Sequence, residues 1–163
     1  RWLDNSSVKN KIDVHDYYIE SRVYSARNRQ TKGLWNEIMF QTKFNNKFDF
    51  IFSFLSGLDD GQIYGENFSA NALGLKNNLT IYLNKKGRIQ TEISFVNVRA
   101  LNNDNALPPE ALKGFAYGKS VRTNTRFHYL FNQTLSFNLN FNTINDIRYK
   151  NLMSLQGELR AYF

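Results

Sequence analysis

Apolar and polar residues alternate with a period of two along most of this chain, and this alternation limits the folds open to it. In the segment 153–163 every second residue is apolar or glycine, and the intervening residues are Ser, Gln, Glu, Arg and Tyr. A period of two places successive side chains on opposite faces of a β-strand. No helical periodicity of useful length interrupts the pattern, so we predict an all-β fold.

The alternation recurs in eight segments, which we predict to be strands. They are 17–24, 37–44, 48–55, 72–83, 89–95, 121–131, 135–142 and 153–163. Most are longer than the 5–6 residues usual in globular proteins, and they suit a tilted strand that crosses a bilayer, which needs about 9–11 residues. Residues 1–16 are interpreted as a polar N-terminal lead-in, and residues 17–163 as the strands of one antiparallel transmembrane β-barrel.

The predicted connections between the strands alternate in length. Short turns are predicted at 45–47, 85–87 and 132–133, and longer loops at 27–33, 57–71, 101–120 and 145–150. The loop that contains Pro108 and Pro109 is expected to begin one helical turn. Short turns on one side and longer loops on the other are typical of outer-membrane barrels, whose short turns lie in the periplasm.

The charged residues of the predicted strands fall almost entirely on one parity. The other parity is a run of Phe, Leu and Ile, with Arg99 as an exception at a loop end. Lys or Arg costs about 2–4 kcal/mol on the lipid face at the bilayer midplane, so the apolar parity is expected to contact outer-membrane lipid. The charged parity then faces a lumen, where acids and bases neutralise one another. The predicted lumen charge network comprises Arg22, Lys43, Glu92, Arg122, Arg126, Glu158 and Arg160.

Two soluble folds would produce the same alternation. In a β-sandwich the apolar parity would form the core between two sheets, and the charged parity would be solvated. In a lipocalin-like barrel the apolar parity would line the interior. Either fold would make the chain a soluble binding module, although so many Phe rings would crowd the interior of an eight-strand barrel.

The sequence offers little sign of catalysis or metal binding. His128 shares the charged parity with Ser94 and Ser136, residue types that a membrane lipid enzyme would use. No nucleophile elbow accompanies them, so a hydrogen-bonded lumen histidine is the favoured interpretation. The segment 58–62 holds two carboxylates beside a glycine but lacks the spacing of a calcium loop. We therefore expect no enzyme, no metal site and no cofactor.

Composition narrows the possible partners. The chain carries 21 Lys and Arg against 14 Asp and Glu, a formal net charge of +7. Its bases are scattered and interspersed with acids, so no nucleic-acid partner is predicted. The chain has no cysteine, which excludes disulfides and thiolate metal sites. No run of 18 apolar residues is present, so the membrane prediction depends on strands alone.

The last predicted strand resembles the C-terminal β-signal of Gram-negative outer-membrane barrels. The residues that carry the resemblance are Met153, Leu155, Gly157, Leu159, Ala161 and Phe163. The resemblance implies that the barrel assembly machinery recognises this strand by pairing with its edge. The ending 157–163 and the loop with Leu107–Glu110 look more specifically like large barrels of the Bacteroidetes group.

That second resemblance covers residues 70–163. It implies a location in the outer membrane, and it implies that these strands form all or the C-terminal part of a barrel. It also implies a membrane-embedded scaffold or pore, whose loops or lumen engage a ligand or a partner protein in the outer membrane.

Overall fold

The structure is a computed structural model that describes residues 5–20, 28–44, 47–84, 86–102 and 107–161. Within these ranges, eight strands form one antiparallel sheet, in which each strand pairs with its neighbours in chain order. The strands are β1 (Ser6–Ile19), β2 (Arg29–Phe44), β3 (Phe48–Ile63), β4 (Glu66–Leu83), β5 (Gly87–Ala100), β6 (Gly118–Leu130), β7 (Leu135–Asn145) and β8 (Leu152–Ala161). The prediction of an antiparallel all-β fold is confirmed. The sheet is not closed, because β1 and β8 are its two edges.

One face of the sheet carries an apolar band that crosses all eight strands. Residues directly opposite each other in neighbouring strands share a face, so the register places Leu34 beside Leu58, and Leu75 beside Phe95. Large side chains of this band are exposed, including Phe54 with half of its surface accessible. Exposed members from β1 to β8 include Val8, Val14, Leu34, Phe40, Phe48, Phe54, Leu75, Leu79, Phe95, Leu155 and Leu159.

The opposite face of the sheet is concave. Lys11 of β1 lines the same cavity on this face as Asn142 and Ile144 of β7. In a flat sheet these strands would lie six strand spacings apart, about 29 Å. The sheet must therefore curve strongly for them to line one cavity. We call this face the concave face and the opposite one, with the apolar band, the convex face.

The short turns that join β2 to β3, β4 to β5 and β6 to β7 lie at the same end of the sheet, and we call the opposite ends of the strands their upper ends. Near the upper ends of the strands, the polarity of the two faces reverses. Beyond Leu58, the convex positions Asp60 and Gln62 of β3 are polar. On the concave face the corresponding ends are apolar, and Phe68 and Val98 are almost completely buried there. The convex band therefore ends at a boundary within the strands, and the hydrophobic core on the concave face extends from Leu55, level with the band, to Phe68 beyond that boundary.

This reversal corrects the predicted loop at 57–71. β3 continues to Ile63 and β4 begins at Glu66, so only Tyr64 and Gly65 connect them. Both residues have positive φ, 55° and 81°, as a tight two-residue hairpin requires. The predicted loop at 27–33 is also misplaced, because β1 ends at Ile19 and β2 already begins at Arg29. Sequence reasoning followed one apolar parity, and in β4 and β5 that parity changes sides within the strand.

The first strand also differs from the prediction. β1 spans Ser6–Ile19, so most of the segment interpreted as a polar lead-in is a strand that pairs with β2 along its whole length. Asn10 and Asp16 interrupt its apolar parity, which explains why the alternation was missed. Residues 21–24, the second half of the strand predicted at 17–24, lie outside the described residues. The connections at 101–117 and 146–151 agree with the loops predicted there.

Candidate functional site

The connection between β5 and β6 folds back onto the concave face. Its residues 107–117, here called the docked loop, bury Ala111, Leu112, Phe115 and Ala116. Leu112 and Phe115 join the core formed by the upper ends of β2 to β5, and the ring of Phe115 stacks on Trp35 at 6.0 Å. The apolar concave positions above the boundary are therefore covered by this loop rather than by a second sheet.

The docked loop contains the helical turn that the sequence predicted in this region. A 3₁₀ turn spans Ala111–Gly114, but Leu112 and Lys113 have φ values of 47° and 56°. These positive values belong to the left-handed region that non-glycine residues seldom adopt. The turn thus differs from an ordinary helical turn. In the described part of the chain, no helix is long and apolar enough to cross a bilayer.

A buried carboxylate anchors the docked loop to the sheet. Asp59 of β3 is completely buried, and its Oδ2 accepts a hydrogen bond from the backbone N–H of Leu112 at 2.7 Å. The same oxygen lies 3.1 Å from Nε2 of His15 on β1. Because a buried carboxylate is costly without partners, these two contacts explain how Asp59 is tolerated. Sequence analysis placed Asp59 in a loop and did not connect it with His15.

Further polar contacts hold both ends of the docked loop. Arg29 Nε donates to Glu110 Oε1 at 2.6 Å, and Lys113 pairs with Asp13 of β1. The carbonyl of Gly114 accepts hydrogen bonds from Arg122 and, at 2.6 Å, from Arg148. The loop is thus bound to β1, β2, β3, β6 and the β7–β8 connection.

A cavity of about 510 Å³ lies beneath the docked loop. Bases and acids line it together, and Lys76 Nζ lies 2.5 Å from Glu37 Oε1 within it. Since both side chains are largely buried, this pair neutralises two charges that would be costly alone. The charged lining residues are Lys11, Asp13, Glu37, Lys76, Glu92, Lys113 and Arg122.

A second cavity, also of about 510 Å³, lies on the concave face nearer the short turns. Two rows of paired residues cross it from β5 to β8. The first row is Arg88, His128, Asn138 and Glu158, and the second is Gln90, Arg126, Asn140 and Gln156. His128 Nδ1 lies 2.6 Å from Asn138 Oδ1, which fixes the imidazole ring.

The residues predicted for the charge network lie on one face but not in one cluster. Glu92 and Arg122 line the cavity beneath the docked loop, whereas Arg126 and Glu158 line the second cavity. Arg160 Nε pairs with Glu158 Oε1 at 2.8 Å. Lys43 of β2 is opposite Asp49 of β3, far from these residues and towards the β1 edge of the sheet.

Arg122 has a further role that the sequence did not suggest. Its guanidinium carbon lies 3.9 Å from the ring centre of Phe115, so it supports the docked loop as well as lining the cavity. Arg22 lies outside the described residues. Sequence analysis did not find the pair between Glu37 and Lys76 or the contacts of the loop, because strand parity carries no information about which loop folds inward.

The residues of the resemblance to a β-signal share one face of β8. Met153, Leu155 and Leu159 are each about two-thirds exposed on the convex side. Gly157 and Ala161 lie on the same face of β8 as these three residues. Phe163 lies outside the described residues. Among the described strands β8 pairs only with β7, so the backbone groups on its other edge are available to a further strand.

Among the described residues, the two histidines have different polar partners. His128 contacts the amide of Asn138, and His15 contacts Asp59 beside the docked loop. The segment 58–62, which lacks the spacing of a calcium loop, is part of β3, and its residues Asp59 and Asp60 point to opposite faces. Within the described ranges, no three His, Asp or Glu side chains gather as a metal site.

Comparisons with known proteins give no identification. No protein-family model matches the chain, and neither a curated protein nor a solved structure matches it.

Proposed function

We propose that this sheet forms part of the wall of a transmembrane β-barrel in a Gram-negative outer membrane, where it serves as a scaffold or pore. The observation that carries the proposal is the exposed apolar band on the convex face. In β2 the band runs from Leu34 to Phe44, ten residue steps or about 33 Å along the strand. At a tilt of about 40° this corresponds to about 25 Å, the height of the apolar band of outer-membrane barrels.

The rim of the band that lies away from the short turns supports the proposal. Lys32 and Asp60 pair across β2 and β3 just above it, and Asn97 and Lys119 do so across β5 and β6. Charged and amide side chains prefer the headgroup region to the hydrocarbon. Among the described residues, nothing covers the band. A soluble protein that exposed so large an apolar surface would aggregate, which disfavours the sandwich and lipocalin-like alternatives.

The docked loop supports a barrel of more than eight strands. The interior of an eight-strand barrel is just wide enough for the side chains of its own wall. Here the concave face also holds the backbone of residues 107–117, with Pro108 and Leu112 fully buried. We therefore propose that further strands pair with the open edges of β1 and β8. Recognition of the β8 edge by the barrel assembly machinery, and contact with a partner protein, are parts of the same proposal.

The proposal is tested by placing one charge on either face of β7. Leu139 lies in the middle of the band and Asn138 beside it on the concave face. Leu139→Lys is expected to cost about 2–4 kcal/mol at the midplane, which reduces insertion into lipid vesicles about 30- to 900-fold. Asn138→Lys, the matched control, should insert like the parent chain. Insertion is measured by flotation with the vesicles.

Two results would contradict the proposal. The first is equal insertion of Leu139→Lys and Asn138→Lys. The second is a parent chain that stays monomeric in buffer without detergent, which would favour a soluble binding module.

A further inference from the structure

We propose that the second cavity binds a small organic anion, a hydroxylated solute that bears a carboxylate or a phosphate. The inference names a ligand class for the lumen and in that respect rests on the proposed function. The cavity is formed by the concave positions of β5 to β8, close to the β4–β5 and β6–β7 turns. It is separate from the cavity beneath the docked loop.

Two arginines give this cavity its charge. Arg88 is opposite His128 and Gln90 is opposite Arg126, so the two arginines are diagonal neighbours on one face, about 7–8 Å apart at their backbones. Neither arginine side chain makes a hydrogen bond or an ion pair to another described residue. Two neighbouring like charges repel each other, and an anion between them would convert this repulsion into attraction.

The acids nearby do not supply that anion. Glu158 lines the cavity, but its Oε1 is 2.8 Å from Arg160 Nε, so its charge is already compensated. Glu92, opposite Asn124, is the diagonal neighbour of Arg126 on the side away from Arg88, and it lines the other cavity. With Glu92 counted against the two arginines, one positive charge remains uncompensated here. Guanidinium groups bind carboxylates and phosphates through paired N–H donors.

The remaining lining residues suit the neutral part of such a solute. Gln90, Asn140 and Gln156 line the cavity with amide groups, which pair readily with hydroxyl groups. The volume of about 510 Å³ accommodates a molecule of monosaccharide size.

The test compares three sugars that differ in charge. Glucuronate, glucose 6-phosphate and glucose are titrated by calorimetry into the full chain folded in detergent micelles. We expect at least one of the two anions to bind at least tenfold more tightly than glucose. Arg88→Gln and Arg126→Gln should each weaken that anion at least tenfold, the effect expected for loss of a charge-assisted hydrogen bond. Which anion binds distinguishes a carboxylate site from a phosphate site.

Two further variants keep the test decisive. Lys119→Gln removes one charge from the exposed convex side of β6 and should leave anion binding unchanged. Arg88→Lys keeps the charge but loses the planar fork, and it should bind more weakly than the parent chain but more tightly than Arg88→Gln. The inference is overturned if glucose binds as tightly as both anions, if none of the three binds, or if Lys119→Gln weakens binding as much as Arg88→Gln. Because binding in micelles does not require vesicle insertion, these failures leave the barrel proposal to its own test.

Discussion

Removal of the Asp59 carboxylate should release the docked loop from the sheet. Asp59 is completely buried, and its Oδ2 is the acceptor for the Leu112 N–H at 2.7 Å. A hydrogen bond to a charged group contributes about 1.5–3 kcal/mol. Asp59→Ala should therefore raise the population of the open loop about 10- to 150-fold, provided that the strands on either side remain paired.

Hydrogen–deuterium exchange measures this opening directly. Amides of the docked loop should exchange about 10- to 150-fold faster in Asp59→Ala, since exchange follows the local opening equilibrium, while amides in the middle of β3 and β4 keep their protection. Asp60→Ala removes the neighbouring carboxylate on the convex face and should not change exchange in the loop. Unchanged protection of the Leu112 amide in Asp59→Ala would refute the assigned anchor.

Three further sets of variants test packing, charge pairing and the number of strands. Gly57→Ala places a Cβ 2.5 Å from the Trp35 ring, so it should destabilise the fold by about 1–3 kcal/mol in urea unfolding; Gly157→Ala, whose Cβ is 3.7 Å from Leu139, should not. Lys76→Met leaves the Glu37 carboxylate unpaired and should lower the unfolding midpoint, while the double variant Lys76→Met/Glu37→Gln recovers most of the loss. Spin labels at Val8 and Leu155 measure the distance between the edge strands β1 and β8. We expect this distance to be several strand widths, whereas closure with eight strands would place β1 and β8 about 4.8 Å apart.

Much of the fold was predictable because strand parity is a local property. The segments that form β6, β7 and β8 were found nearly in full, since their convex positions such as Phe127, Leu139 and Leu155 are apolar along most of the strand. The prediction of a loop at 57–71 was wrong because the apolar convex parity stops at Leu58 and Leu73, and the segment between them contains Asp59, Asp60 and Gly61, residue types typical of turns. When the apolar residues move from one face to the other within a strand, the alternation in the sequence breaks off, just as it does where a strand ends.

The candidate site was less predictable than the strands. The parity of the strands alone was enough to place Arg122, Arg126 and Glu158 together on one face of the sheet. The contact of Asp59 with Leu112 joins residues 53 positions apart in the sequence, and it depends on a loop that turns inward. Neither periodicity nor composition encodes such a contact. The same holds for Lys113 and Asp13, which are 100 positions apart.

The central claim is that the convex face contacts lipid, and a cysteine scan of β7 tests it most directly. The chain has no native cysteine, so single cysteines at positions 135–143 can each carry a fluorophore in the vesicle-inserted protein. We predict that a lipid-attached quencher acts on labels at 137, 139 and 141, and that a water-soluble quencher acts on labels at 136, 138 and 140. Equal quenching at odd and even positions, or the reverse alternation, would contradict the account.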